Sequence, residues 1–355
     1  MDDSCGRVGD FGEEIAVLFC VNSDFFSHVS VVCASIFEID RCSKYNVSIV
    51  TCSIDAYREN KLRLSLSSLS NISVTIIYVQ PGEVESMHVD RHLSKECYLR
   101  LIAPDILPPK LDRILYLDSD VIVLDQLRPL WETDLLGRSV AAVPDVLTQR
   151  PRAGLGLPTD HIYVNSGVLL IDLKAWRRRG ITAKLKAFIG AKGALLEYHD
   201  QDALNAVLLD DILPLDYRWN LQTQHIRFGR RALGSVYGSI RAAARSPAIL
   251  HYAGPNKPWL FRARTARKGD YLRFQDRTAW RGATPPLASR WQRAELGLDR
   301  CLARMGVDYL QVFHVLRRVP ARAAAIVAET WHRTIGRLNR RRDAVRRRAR
   351  RIDDA

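Results

Sequence analysis

Four short apolar runs, separated by helix-patterned segments, fill the first third of the chain. This alternation restricts the fold more than any other feature. The runs are Glu14–Val21 (EIAVLFCV), Asn46–Cys52 (NVSIVTC), Val74–Val79 (VTIIYV) and Ile114–Leu117. Between them, Val29–Ile39 and Arg58–Leu69 carry helical spacing, and Ser94–Ile102 reads as a helix stopped by Pro104 and Pro108. Strands of this length alternating with helices form βαβ units. The predicted fold is therefore α/β, with a Rossmann-like, mainly parallel central sheet flanked by helices. Further on, Val164–Leu173 reads as a strand entered through Asn165-Ser166-Gly167. Lys174–Phe188 and Ala203–Leu209 are helical, and Ala248–Tyr252 is a short strand leading into the loop GPNKPW. No internal repeat is present. From about Pro285 the composition shifts to Ala, Arg and Leu with few strand signals. The expected organisation is a leader (1–13), one α/β domain (14–284) and a mainly helical, basic C-terminal extension (285–355).

The charge balance is unusual. The 355 residues carry a formal net charge of +14, concentrated near the end in RLNRRRDAVRRRARR. Such a tail suits an anionic partner: nucleic acid, anionic lipid or a phosphorylated glycan. Seven cysteines, an odd number with no CxxC pair, argue for reduced thiols and a cytoplasmic setting. The opening MDDSCGRVGDFGEE is unlike a secretory signal, and no run approaches the roughly 18 apolar residues of a membrane span. Without an export signal, the N-x-S triplets at Asn46 and Asn71 read as accidental.

Asp118 and Asp120 interrupt the apolar run LDRILYLDSDVIVLDQL. Burying an unpaired carboxylate costs several kcal/mol, so the pair belongs at a strand end or beside a positive charge. In open α/β sheets, ligands bind outside the carboxyl ends of the strands, which is where this pair falls. An Asp-x-Asp there suits a divalent cation sharing its remaining positions with diphosphate oxygens and water; a solvated loop is the alternative. In SPAILHYAGPNKPW, His251 closes a strand and Lys257 follows in the loop. The imidazole suits Mn²⁺, and the lysine could neutralise a leaving diphosphate. A structural histidine and a solvated lysine are the plainer readings. Asp200, Gln201 and Asp202 stand where a helix begins, a place acids favour in any case. Asn165 precedes a turn into a buried strand, and turn chemistry alone accounts for it.

Taken in order, YLRL (98–101), LDRILYLDSDVIV (111–123), NSGVLLIDLKAWR (165–177), HDQDALN (199–205), YRWNLQ (217–222) and HYAGPNKPW (251–259) resemble the family 8 glycosyltransferases. The resemblance spans roughly residues 14–265. It implies a GT-A fold and a metal-dependent, retaining transfer of a hexose, galactose or glucose, from a UDP-sugar to a glycan, lipid-linked or other hydroxyl acceptor. Carried onto this chain, it implies Asp118, Asp120 and His251 as ligands of Mn²⁺, with Mg²⁺ as the alternative. It also implies Lys257 and Gly254 at the diphosphate, and Val21, Asn22, Phe25, Arg100 and Ser119 along the donor. Asn165, Asp200 and Gln201 fall around the donor sugar, Gln201 near the anomeric carbon. One departure concerns the base: where the family shows A-x-D-x-x-Y, this chain has CVNSDFF, with Asn22 at the Asp and Phe25 at the Tyr. Phe25 can still stack on a base and Asn22 can still bond an imide, so uracil selection is expected. The tail is expected to touch an anionic membrane at its inner face. Two other classes compete. A haloacid dehalogenase-like phosphatase would carry its DxD near the N-terminus and a later GDxxxD-type site, neither of which this chain has. A basic nucleic-acid or membrane binder on a degenerate transferase scaffold fits the charge. It does not fit the retention of Asp118, Asp120 and His251 together, or arginines clustered without interleaved aromatics.

Overall fold

The computed structural model describes residues 13–80, 82, 95–146, 153–260, 263 and 265–283. The expected leader, the C-terminal extension and the arginine-rich tail lie outside them, apart from Glu13. β1 (Ile15–Cys20), β2 (Tyr45–Thr51) and β3 (Ile72–Tyr78) alternate with α1 (Phe26–Ile39) and α2 (Ala56–Leu66). Asp55 starts α2 by accepting from Arg58 N at 3.0 Å. α3 (Leu99–Ile106) then leads to β4 (Arg113–Leu117). Here the expected stop is overturned, because α3 runs through Pro104. The ring removes one donor, but Leu99, Leu101, Ile102, Ala103 and Pro104 are all buried and Leu107 N closes the turn on Ala103 O at 3.0 Å. Tertiary packing outweighs the lost bond.

β5 (Val121–Val123), α4 (Arg128–Trp131), β6 (Val140–Pro144) and β7 (Val164–Asp172) follow. The helix expected over 174–188 is two helices, α5 (Leu173–Arg178) and α6 (Ile181–Lys192). Gly180, at φ 60°, breaks them apart. The rest comprises α7 (His199–Leu208), β8 (Ile212–Pro214), β9 (Leu221–Gln222), α8 (Arg230–Leu233), α9 (Tyr237–Arg245), β10 (Ile249–His251) and α10 (Lys268–Gln275). Arg177 fastens α5 to the proline-rich turn after α3, donating to the carbonyls of Pro104, Leu107, Pro108, Pro109 and Leu111 at 2.9–3.3 Å.

The main sheet has the order β3-β2-β1-β4-β7-β6-β8. β1, β2, β3 and β4 pair in parallel, as do β6 and β8, while β7 is antiparallel to both β4 and β6. The strands β1, β4 and β7 are buried almost throughout, as a sheet covered by helices on both faces requires. A second sheet, β5-β10-β9, has no counterpart in the sequence reading: β10 runs antiparallel to β5 and parallel to β9. Its own apolar cluster joins Ile122, Leu221 and Leu250 to Leu233, Ile240, Tyr252 and Tyr271.

Candidate active site

The apolar run broken by Asp118 and Asp120 is two strands in two sheets. β4 ends at Leu117 in the main sheet and β5 starts at Val121 in the second, so the carboxylates occupy the passage between them. Because β7 is antiparallel to β4, its first residues reach the same rim, and Asp118 N donates to Gly167 O at 2.8 Å. β10 runs antiparallel to β5, and Tyr252 N donates to Asp120 O at 2.9 Å, which delivers His251. One ligand atom from each of Asp118, Asp120 and His251 lies within 4.8 Å of the others. His251 Nε2 stands 3.2 Å from Asp120 Oδ1 and 3.8 Å from Asp118 Oδ2. Gly167 makes the convergence possible: a Cβ there would meet His251 Cε1 at 2.4 Å and Asp118 Oδ2 at 2.7 Å.

A chain of carboxamides sets the imidazole. Gly167 N–H, which can only donate, bonds Asn165 Oδ1 at 2.9 Å, and this fixes that amide's orientation. Asn220 must then turn its Nδ2 toward Asn165 Oδ1, at 2.8 Å, leaving its Oδ1 to accept from His251 Nδ1 at 2.8 Å. A proton therefore sits on Nδ1, which leaves Nε2 as the nitrogen that faces the two carboxylates. This is the tautomer a metal needs, oriented by an outer partner. The donor set also fits a hard divalent cation in its charge. Around this corner three carboxylates, Asp118, Asp120 and Asp200, meet two cations, Arg100 and Lys257, and the excess of negative charge is what such an ion would neutralise.

Arg100 is the internal counter-charge. Its Nη1 lies 3.0 Å from Asp118 Oδ1 and its Nε 3.2 Å from Asp200 Oδ2, over the ring of Tyr116. The Tyr116 hydroxyl donates to Asp118 Oδ1 at 2.6 Å. Burial opposes charge on Arg100, but the flanking Asp118 and Asp200 hold its pKa well above the usual value. Burial, with the Asp118 charge adding to it, raises Asp200 despite Arg100. At Asp120 burial pushes upward too, yet His251 and Lys257 together hold the carboxyl well below the carboxylate range. Lys257 Nζ donates to Asp120 Oδ2 and, at 3.0 Å, to Tyr252 O.

Beside this corner, Gln201 Oε1 accepts from Asn165 Nδ2 at 2.9 Å and from Ser166 N at 3.2 Å, and Ser166 Oγ donates to Asp200 Oδ2 at 3.0 Å. The structure thus gathers Asp118, Asp120, His251, Lys257, Arg100, Asn165, Asp200 and Gln201. Asp202, next in the acidic cluster, serves the helix instead, accepting from Glu197 N, Tyr198 N and the Tyr163 hydroxyl. Ser119 is buried between the two aspartates. Val21 continues β1, its N–H donating to Val50 O. Asn22 spends its carbonyl oxygen capping the turn at 23–25 by accepting from Asp24 N at 3.0 Å. Phe25 is 37% exposed, with its ring edge-on to Trp259. Gly254, at φ 81°, turns the loop that carries Lys257.

Sequence reasoning missed Gly167, Asn220 and Tyr116 as parts of the site. All three lay inside quoted motifs, but nothing in spacing marks a tyrosine on a buried strand. It also missed the seam that ties the GPNKPW loop to α1, where His28 stacks on Trp259 at 3.7 Å and shares a 2.5 Å hydrogen bond with the Tyr271 hydroxyl.

Comparison with known proteins bears on the family and the fold. The sequence profile of Glycosyl transferase family 8 matches residues 16–263. General stress protein A of Bacillus subtilis is 28% identical over 275 residues, 76% of this chain and 95% of that protein. Lipopolysaccharide 1,2-glucosyltransferase of Escherichia coli is 26% identical over 252 residues, 70% of this chain and 73% of that one. Among solved structures, a galactosyltransferase LgtC in complex with donor and acceptor sugar analogs superposes with a TM-score of 0.67 at 25% identity, covering 78% of this chain and all of that one. The GT-A fold expected from sequence is the observed one.

Proposed function

The chain belongs to glycosyl transferase family 8, and from that premise we propose that it is a retaining, metal-dependent hexosyltransferase. In this reading it moves galactose or glucose from a UDP-sugar to a hydroxyl of a glycan or lipid-linked acceptor, in the cytoplasm, within the domain spanning residues 14–284. The observation that carries the reading is the convergence of Asp118, Asp120 and the correctly protonated His251 beside Lys257 and a sheltered carboxamide pocket. Related names support the substrate class: the Escherichia coli relative is a glucosyltransferase and the LgtC structure holds donor and acceptor analogs.

Asp118, Asp120 and His251 would hold Mn²⁺ or Mg²⁺, which when bound supplies positive charge against the diphosphate. Lys257 adds a second positive charge where the leaving group gathers its negative charge. Gly254 gives the loop room to approach the diphosphate. Arg100 and Ser119 border the metal corner on the donor side. Val21, Asn22 and Phe25 line the base end, with Phe25 as the stacking face. Asn22, its oxygen committed to the cap, offers its amide nitrogen to the base edge. Asn165 and Asp200 meet sugar hydroxyls.

Retention requires either a covalent intermediate or attack on the leaving-group face. Gln201 is a poor nucleophile, and its Oε1 already accepts two bonds. Asp200 is held by Arg100 and the Ser166 hydroxyl. The favoured course is therefore front-face attack: the C1–phosphate bond breaks with its electron pair leaving to UDP. The acceptor oxygen bonds C1 on the same face, and its proton passes to the departing phosphate oxygen. A trapped glycosyl-enzyme adduct would overturn this course.

The test is UDP release from a panel of UDP-sugars with Mn²⁺, in the presence and absence of acceptor glycans, with EDTA and Asp120→Asn as controls. Release from one sugar, lost in both controls, is expected. No nucleotide binding and no release from any donor would refute the reading.

A further inference from the structure

A cationic face lies on the outer helices of the second sheet, apart from the side chains placed in the site. Asp216 and Asp270 are consecutive acids in the sequence. The 53 residues between them hold eleven lysines and arginines and no carboxylate, whereas ordinary surfaces intersperse both signs. Within this run Arg230 and Arg231 on α8 and Arg241 and Arg245 on α9 are exposed. None of the four meets a carboxylate among the described residues. Leu233, Ile240 and Ala243 turn inward to the second cluster, which directs these arginines outward. Tyr237, Arg241 and Arg245 recur every fourth residue, so they form one stripe with about 6 Å between positions. Arg230 extends it, its guanidinium 5.6 Å from the centre of the Tyr237 ring. Phe228, 39% exposed, stands at the near end.

We propose that this face docks the protein on an anionic phospholipid bilayer. Guanidinium groups pair with phosphate in a fixed fork geometry, and an exposed aromatic suits the headgroup region. A row of cations along a helix lying at the surface matches a plane. Tyr237 has a face taken by Arg230, and Phe228 alone gives no run of stacking platforms of the kind that holds successive nucleic-acid bases. No helix among the described residues is long and apolar enough to cross a membrane, so the contact is a surface one. The face also adjoins the site. Arg227 follows His225 by two residues, a span of at most about 7 Å. Buried His225 faces Asp145 at 3.8 Å, and Asp145 in turn accepts from Asn165 at 3.4 Å. Docking would hold the edge of the site near the lipid plane.

The experiment is cosedimentation of the full chain with phosphatidylglycerol–phosphatidylcholine vesicles and with pure phosphatidylcholine vesicles. The parent is compared with Arg230→Gln/Arg231→Gln/Arg241→Gln/Arg245→Gln and with the corresponding four-lysine variant. Each cation near an anionic surface is worth about fivefold in partition. The glutamine variant should therefore lose at least about a hundredfold toward anionic vesicles, with its melting temperature unchanged. The lysine variant should stay within several-fold of the parent, and none should bind neutral vesicles tightly. A glutamine variant within threefold of the parent would overturn the proposal. So would a parent that binds single-stranded RNA but not anionic vesicles, because the face would then serve a soluble polyanion.

Discussion

Gly167→Ala tests the central geometric claim, that the metal corner is closed-packed around an absent side chain. The added methyl would stand 2.4 Å from His251 Cε1, 2.7 Å from Asp118 Oδ2 and 2.9 Å from His251 Nδ1, where ordinary contact begins at 3.4 Å. The imidazole must retreat by about 1 Å, because Asp118 is pinned by Tyr116 and Arg100 and the methyl is fixed to β7. Gly167 has no positive φ, so the backbone accepts alanine and the clash is the whole effect. A 1 Å retreat stretches the 2.8 Å bond to Asn220 and moves Nε2 off the carboxylates. Overpacking of this kind costs about 1–3 kcal/mol of stability. Disturbing a ligand and its outer partner weakens metal binding by about 10–100-fold. Calorimetric titration with Mn²⁺ and thermal melting read the two effects separately. Gly190→Ala is the control: nothing lies within 4 Å of its added methyl, and alanine suits its position in α6. Mn²⁺ affinity within threefold of the parent, with an unchanged melting temperature, would refute the packing argument.

Two further outcomes are expected. Asn220→Ala removes the acceptor that places the His251 proton on Nδ1, so Mn²⁺ affinity should fall about 10–100-fold in the same titration with little change in the far-ultraviolet circular dichroism spectrum; unaltered affinity would mean the tautomer is set otherwise. His28 is held neutral by burial, its pKa lowered to about 4, with Asp120 opposing that shift. The unfolded chain binds its proton near pH 6.5 and the folded chain only near 4, so this contribution is complete above about pH 6.5 and is lost as pH falls toward 4. Allowing for the part of the ring that water reaches, it amounts to about 2 kcal/mol. Between pH 7 and pH 4 the parent should lose stability relative to His28→Phe in melting curves, and parallel curves would exclude the assignment.

The sequence was informative where a signal is local. Apolar runs marked β1, β2 and β4 because these strands are buried on both faces and must be apolar along most of their length, and β3, the half-exposed edge strand, was marked by its apolar residues Val74, Ile76 and Ile77. Asp118 and Asp120 stood out because carboxylates inside such a run demand a compensating charge. His251, Lys257, Asp200 and Gln201 were legible only through their order along the chain. Errors arose where packing competes with a local rule. Pro104 sits inside α3 because its neighbours are buried, and a single helix was expected where Gly180 adopts a left-handed turn.

What the sequence determined alone is the α/β class, the position of the aspartate pair at a strand end and the ordered set of motifs that marks the family. Tertiary structure decided how those motifs become one site. β5 leaves the main sheet for a second one, β7 runs antiparallel to β4 and β10 antiparallel to β5, so residues 49 and 133 positions beyond Asp118, Gly167 and His251, arrive at the same rim. The protonation of His251 is likewise fixed by a chain of bonds from Gly167 through Asn165 and Asn220. Spacing cannot encode such a chain. It depends on which donors and acceptors face each other once strand direction and register are set, and those are properties of the packed sheet.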